Sequence, residues 1–241
     1  AALLGRLDEA EAFAEEGFEF ASSSGQPDAA FVRLSQLAPI RYDQGRMEEV
    51  RPVWETLARD LPGVPACLGV LTLAESETGM SREAREHLHG GARAGFAPMD
   101  IAWGAAVGSY AIVAARLNDS ESAAALYPML APYENQVAYT TANAWLTIAH
   151  HLGALARVTG RLELSERHLW VAAQLGERMS APIWLARTQV EQARVRMLRG
   201  AAAADVTPML ESVLQTAADL GAKGLEHEAA AVLTEPQSVS A

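Results

Sequence analysis

Apolar side chains recur at helical spacing along the 241-residue chain, and turn residues interrupt the pattern at near-regular intervals. Gly5-Arg6-Leu7, Gly45-Arg46-Met47, Gly79-Met80-Ser81, Asn118-Asp119-Ser120, Gly160-Arg161-Leu162 and Gly200-Ala201 each close one helical run and open another. The intervals are 40, 34, 39, 42 and 40 residues. Self-similarity at this period predicts stacked helix pairs, because one pair cannot bury its apolar face alone. Before each turn a large apolar residue stands beside a small one: Leu37 and Ala38, Leu71 and Thr72, Tyr110 and Ala111, Leu152 and Gly153. After the turn a small residue precedes a larger one, as in Val50 with Trp54, Ala84 with Leu88, Ala123 with Tyr127 and Ser165 with Leu169. Small against large is how antiparallel helices interlock at close range, so Leu152 and Gly153 are expected against Ser165 and Leu169.

The predicted map is a helix over 7–22, then pairs 27–44/47–60, 66–78/81–94, 99–117/120–131, 139–159/162–179 and 183–199/207–220, and a last helix over 223–233. Pro27, Pro62, Pro65, Pro98, Pro132 and Pro182 punctuate the links, since proline ends one helix and suits the first turn of the next. Thr207-Pro208 reads as a helix start after an insertion, and Pro39, Pro52 and Pro128 inside helices predict kinks or later starts. No alternating β-branched run reads as a strand. The expected fold is all-α: one right-handed superhelix of antiparallel pairs over 1–233, with a polar tail over 234–241. Only Ala1 to Leu4 precede the first turn, too few for a helix. The helix over 7–22 is therefore expected to lack a partner, the chain to be cut from a longer protein, and exposed Phe13 to favour self-association at that end.

The net charge of −11 lacks the basic stripe that phosphate backbones or anionic membranes require. The single cysteine, Cys67, excludes an internal disulfide and reads as a buried structural thiol. No signal peptide is evident, and the longest apolar stretch, 101–115, is too short to span a bilayer. A cytoplasmic protein is expected.

The stretch from Phe31 to Leu233 resembles the tetratricopeptide-like C-terminal region of large bacterial signalling ATPases, which carry a nucleotide cyclase or a LuxR-type DNA-binding domain. The likeness is carried by Ala124-Ala125-Leu126-Tyr127-Pro128-Met129-Leu130-Ala131-Pro132-Tyr133 and by Leu152-Gly153-Ala154-Leu155-Ala156 followed by Gly160-Arg161-Leu162. Glu166-Arg167-His168-Leu169 and Trp184-Leu185-Ala186-Arg187-Thr188-Gln189 complete it. The resemblance implies a tetratricopeptide-like regulatory array downstream of a nucleotide switch, engaging a protein partner or an upstream domain of its own polypeptide. The chain has no Gly-x-x-x-x-Gly-Lys-Ser/Thr loop, so neither ATP binding nor ATP hydrolysis is expected of it.

Chemistry is sparse. His87 and His89 lie two apart on a helix and cannot share a metal; His150 and His151 point about 100° apart. Glu15-Glu16, Glu48-Glu49 and Glu75 with Glu77 read as solvated helix faces. No catalytic residues, cofactor or metal are expected. First helices line the concave face of arrays like the one resembled, which makes Trp103, Arg116, Trp145, His150, Arg157 and Arg187 the candidate partner-binding residues. Aromatic and arginine anchors commonly dominate interface energy. The same concavity offers an alternative role, binding a small effector, and packing between repeats is the plain reading of the same side chains.

Overall fold

The computed structural model describes residues 1–96, 100–140 and 142–234; Pro98 and the tail beyond Thr234 lie outside them. The helices are α1 (Leu7–Ser23), α2 (Ala29–Gln44), α3 (Met47–Asp60), α4 (Pro65–Glu77), α5 (Ser81–Arg93), α6 (Trp103–Arg116), α7 (Ser120–Leu130), α8 (Ile148–Val158), α9 (Leu162–Arg178), α10 (Pro182–Leu198), α11 (Ala203–Asp219) and α12 (Lys223–Thr234). Short 3₁₀ turns cover Ala2–Leu4 and Ala131–Tyr133. All six residues that set the sequence period adopt left-handed backbone: Gly5, Gly45, Gly79, Asn118, Gly160 and Gly200 have φ between 49° and 92°. That conformation suits glycine and asparagine, and it turns the chain sharply from one helix into the next. Pro65 and Pro182 stand at the first positions of α4 and α10. Pro39, Pro52 and Pro128 lie inside α2, α3 and α7. The last pair starts earlier than Thr207 suggested. The Asp205 carboxylate accepts the Ala202 N–H at 3.0 Å, capping α11 from Ala203 onwards.

A helix over 139–159 does not form as one piece. Strands β1 (Val137–Tyr139) and β2 (Ala144–Thr147) make an antiparallel hairpin, with Val137 opposite Thr147 and Tyr139 opposite Ala144, and only then does α8 begin. The strands hold valine, tyrosine, tryptophan and threonine, which fit a pleated, half-buried surface. Thr140 shapes the turn, its hydroxyl accepting the backbone N–H groups of Ala142 and Asn143, both at 3.2 Å. Thr147 caps α8 by accepting the His150 N–H at 3.2 Å. The hairpin backbone lies directly on α6, where Gly104 leaves no room for a Cβ beside Tyr139.

Even-numbered helices form an inner layer and odd-numbered helices an outer one. Each inner helix touches the next, from α2 through α4, α6, α8 and α10 to α12, and α12 then packs back against α2. The array therefore closes into a ring of six inner helices. At the seam Gly45 faces the backbone of Lys223 and Gly224, and a Cβ on Gly224 would overlap the Tyr42 carbonyl oxygen. Leu7 of α1 joins the same seam, buried with Ile183 and Ala186 of α10.

Packing inside the pairs follows the small-against-large pattern. A Cβ on Gly153 would sit 2.6 Å from Leu169, and the Ser165 hydroxyl donates to the Gly153 carbonyl at 2.7 Å. Trp54 and Trp184 are buried. The helix α1 packs on the following helix α2, held by Arg41 to Glu11 and Arg33 to Glu15, both at 2.5 Å. The Arg41 hydrogen bond, against a smaller cost of burial, pushes the Glu11 carboxyl down to about 2. Its outer face still exposes Phe13 and Phe20. Glu75 is not a solvated side chain, being buried against His87 at 2.8 Å, and Glu77 is largely covered as well. Among the described residues, no helix is long and apolar enough to cross a membrane.

Candidate functional site

Closing the ring turns the concave face into the wall of a central cavity of about 1160 Å³. Four of the six residues singled out in the sequence line it: Arg116 on α6, His150 and Arg157 on α8, and Arg187 on α10. Trp145 and Trp103 do not. Trp145 is buried on β2 with its ring 6.2 Å from Tyr42, and Trp103 stacks edge-on against Tyr133 at 5.4 Å. Trp145 belongs instead to a second, smaller space of about 260 Å³, shared with Phe13, Ile40, Tyr42 and Trp184. Tyr42 lines both and forms the partition between them.

The cavity wall is an ionic lattice that ties all six inner helices. Arg187 of α10 reaches Asp43 of α2 at 3.0 Å, the Tyr42 hydroxyl at 3.0 Å and Glu228 of α12 at 2.6 Å, and its guanidinium stacks 4.0 Å over the Tyr42 ring. Arg194 joins Glu228 at 3.2 Å to Glu191 at 2.5 Å. Glu191 also holds Arg157 of α8 at 2.7 Å, and Arg157 donates across to the Asn118 side chain and the Ala115 carbonyl. Arg116 of α6 pairs with Glu77 of α4 at 2.7 Å. Buried charges persist only when paired and hydrogen-bonded, so the lattice constrains how the ring closes more than it adds stability.

Burial and charge compete at each group. Burial raises the Glu191 carboxyl, but Arg157 and Arg194 outweigh it and hold the group well below the usual range. Glu228 is likewise lowered, Arg187 and Arg194 overcoming the cost of burial. At Asp43 and Glu77 burial wins over Arg187 and Arg116, and both carboxyls are raised. Arg187 is raised despite burial, because Tyr42, Glu228 and Asp43 surround it.

Two neutral imidazoles line the same cavity. Thr188 donates its hydroxyl to the Trp184 carbonyl at 2.9 Å, so it accepts from His150 Nδ1 at 3.2 Å, leaving a lone pair on His150 Nε2. His151 Nε2 donates to the Trp145 carbonyl at 2.8 Å. Burial lowers both, and burial together with neighbouring His150 takes His151 down to about 3. Both side chains therefore carry no charge at neutral pH.

Sequence reasoning missed Tyr42, Asp43, Glu77, His151, Glu191, Arg194 and Glu228. A signal for three groups existed: Asp43, Glu77 and Arg116 each stand two residues before a left-handed turn residue, and so fall at one level of the ring. Glu228 on the final helix had no such marker. His87 and His89 bind separate carboxylates, Glu75 and Asp119, at 2.8 and 2.7 Å. Cys67 is buried, and burial pushes its thiol up to about 11, which leaves it unreactive at neutral pH. Among the described residues, no three His, Cys, Asp or Glu side chains gather as a metal site. No family model matches the chain, and neither a curated protein nor a solved structure does so.

Proposed function

We propose that this chain is a regulatory binding module and not an enzyme, and that it takes a small polar ligand into the central cavity of its helical ring. The observation that carries the reading is convergence. Arg116, His150, Arg157 and Arg187, drawn from three helices, line one space at the ring's centre. A concave space in which a few polar groups converge among apolar ones is how proteins hold small ligands. The carboxylates of the cavity are committed to ion pairs, which suits recognition better than proton transfer. The resemblance to the tetratricopeptide-like arrays of bacterial signalling ATPases supplies the context: a right-handed array that reports a cytoplasmic effector to an upstream nucleotide switch. Because the lattice ties every inner helix, a ligand that rearranges it biases the whole ring.

A protein partner remains the second reading, and the exposed Phe13 and Phe20 on α1 favour it at that face, away from the cavity.

The test is a calorimetric panel of carboxylates, phosphates, amines and neutral sugars against the wild type and Ala231→Trp. Ala231 is exposed on α12 and lines the cavity, so tryptophan there projects bulk into the space without replacing a core side chain. Saturable binding in one class, lost in Ala231→Trp, is the expected outcome. Binding that survives the tryptophan, or a panel without any binder, overturns the reading. ATP is expected not to bind, for want of a backbone phosphate cradle.

A further inference from the structure

The cavity's arginines are not equivalent. Arg157 has a carboxylate, a side-chain amide and a carbonyl as partners, and Arg187 has two carboxylates and a phenol. Arg194 bridges two carboxylates. Arg116 makes one contact, from Nη2 to Glu77 Oε1. Its side chain is nonetheless 34 % exposed, and it lines the cavity. A guanidinium offers five donors in a fixed fork, so Arg116 presents an unused edge of that fork inside the ring. The rest of the wall offers both acceptors, at His150 Nε2 and the carboxylates of Glu77, Glu191 and Glu228, and donors, at Asn118 and Arg194. With Asp43 behind Arg187, the four arginines are matched by four carboxylates, so no unpaired carboxylate is left for a ligand ammonium.

A ligand matched to this wall has one flat oxyanion for the Arg116 fork and several uncharged hydroxyls, which both donate and accept, for the groups around it. We propose that the cavity takes a small polyhydroxylated carboxylate, its carboxylate docked on Arg116 and its hydroxyls donating to His150 Nε2 and the neighbouring glutamates. Hydroxyls hydrogen-bond the groups around Arg116 without adding a second charge, which ammonium groups would not. The planar carboxylate fits a guanidinium edge with two parallel hydrogen bonds. The assignment rests on the reading of the cavity as a binding site.

Isothermal titration with four probes of similar length tests it: gluconate, sorbitol, hexanoate and glycerol 3-phosphate. Gluconate is expected to bind saturably, with sorbitol and hexanoate each weaker by about tenfold or more. Arg116→Lys keeps the ion pair with Glu77, and therefore the fold, but loses the fork; it is expected to weaken gluconate by about tenfold. Equal gluconate affinity in Arg116→Lys, equal binding of sorbitol, or no gluconate binding overturns the proposal. Preferential binding of glycerol 3-phosphate also overturns it, by replacing the carboxylate with a phosphate. If a different ligand class binds and Ala231→Trp abolishes that binding, the cavity stands as a site and only this ligand assignment falls. If gluconate binds Ala231→Trp as it binds the wild type, both fall.

Discussion

Gly224→Ala perturbs the place where the ring closes. The new Cβ would meet the Tyr42 carbonyl oxygen well inside contact distance, with the Asp43 carbonyl at 3.2 Å and Arg187 Nη2 at 3.4 Å. Two of these three neighbours are backbone and cannot rotate away, so α12 must retreat from α2. A gap of about 0.5–1 Å already forfeits roughly a quarter to a half of the dispersion attraction across a contact. Overpacking of this kind costs about 1–3 kcal/mol. The same retreat stretches Arg187 between Asp43 on α2 and Glu228 on α12, and breaking a buried pair costs about 3–5 kcal/mol. Partial loss of that lattice brings the gross cost to about 3 kcal/mol, and the better helix propensity of alanine returns up to about 1 kcal/mol. The expected net loss is about 2 kcal/mol, a fall in Tm of about 4–8 °C for a chain of this size. Urea and thermal unfolding measure it. Gly17→Ala is the control, because its Cβ meets nothing within 4 Å on exposed α1; it should gain about 0.5–1 kcal/mol. If Gly224→Ala is as stable as Gly17→Ala, the two ends do not press together and the seam is wrong.

Other expectations follow from single contacts. Gly153→Leu should lose about 1–3 kcal/mol by urea unfolding, since even a Cβ stands 2.6 Å from Leu169; unchanged stability would mean α8 and α9 pair differently. Trp145→Ala should lose about 3–5 kcal/mol by the same measurement, because Trp145 is core and not a surface anchor. Stability should also fall with pH below about 6.5, because unfolding frees His150 and His151 to take up protons that burial denies them. Each contributes up to about 1.4 kcal/mol per pH unit on the way down, the His151 share persisting to about pH 3. His87, raised by Glu75, has the opposite sign, as do Asp43 and Glu77 at lower pH, so the variant comparison isolates the effect. His151→Gln should flatten the slope of stability between pH 6.5 and 5 by about 1.4 kcal/mol per unit; an unaltered slope would place His151 in contact with solvent.

The helices were legible because turn chemistry is local. A glycine or asparagine that must adopt positive φ announces itself, and all six that set the period do so. Pro65 and Pro182 marked helix starts for the same reason. The hairpin was missed because the 40-residue ruler demanded a long helix over 139–159, which overrode a local run of strand-favouring residues and the Thr147 cap. Glu75 and Glu77 look solvated by composition alone; their burial depends on His87 and Arg116, which arrive from other helices. Four of the six candidate site residues meet in one cavity because they share the inner face of successive helices. The two tryptophans miss it because the hairpin and the start of α6 lie outside that face. Closure itself leaves no local trace. It depends on the small rotation accumulated from pair to pair, and its signs, Gly45 and Gly224, read as an ordinary turn and an ordinary helix start.

Ring closure is tested most directly by the distance between spin labels at Glu48, which follows the α2 turn, and Lys223, which opens α12, both exposed on the outside of the seam. Gly45 lies against Lys223, so double electron–electron resonance, with buried Cys67 replaced by alanine, should return one narrow distribution at short distance. An open array would hold those helices five packing steps of about 9 Å apart, roughly 45 Å; a broad distribution near that value would contradict the closed ring and, with it, the central cavity.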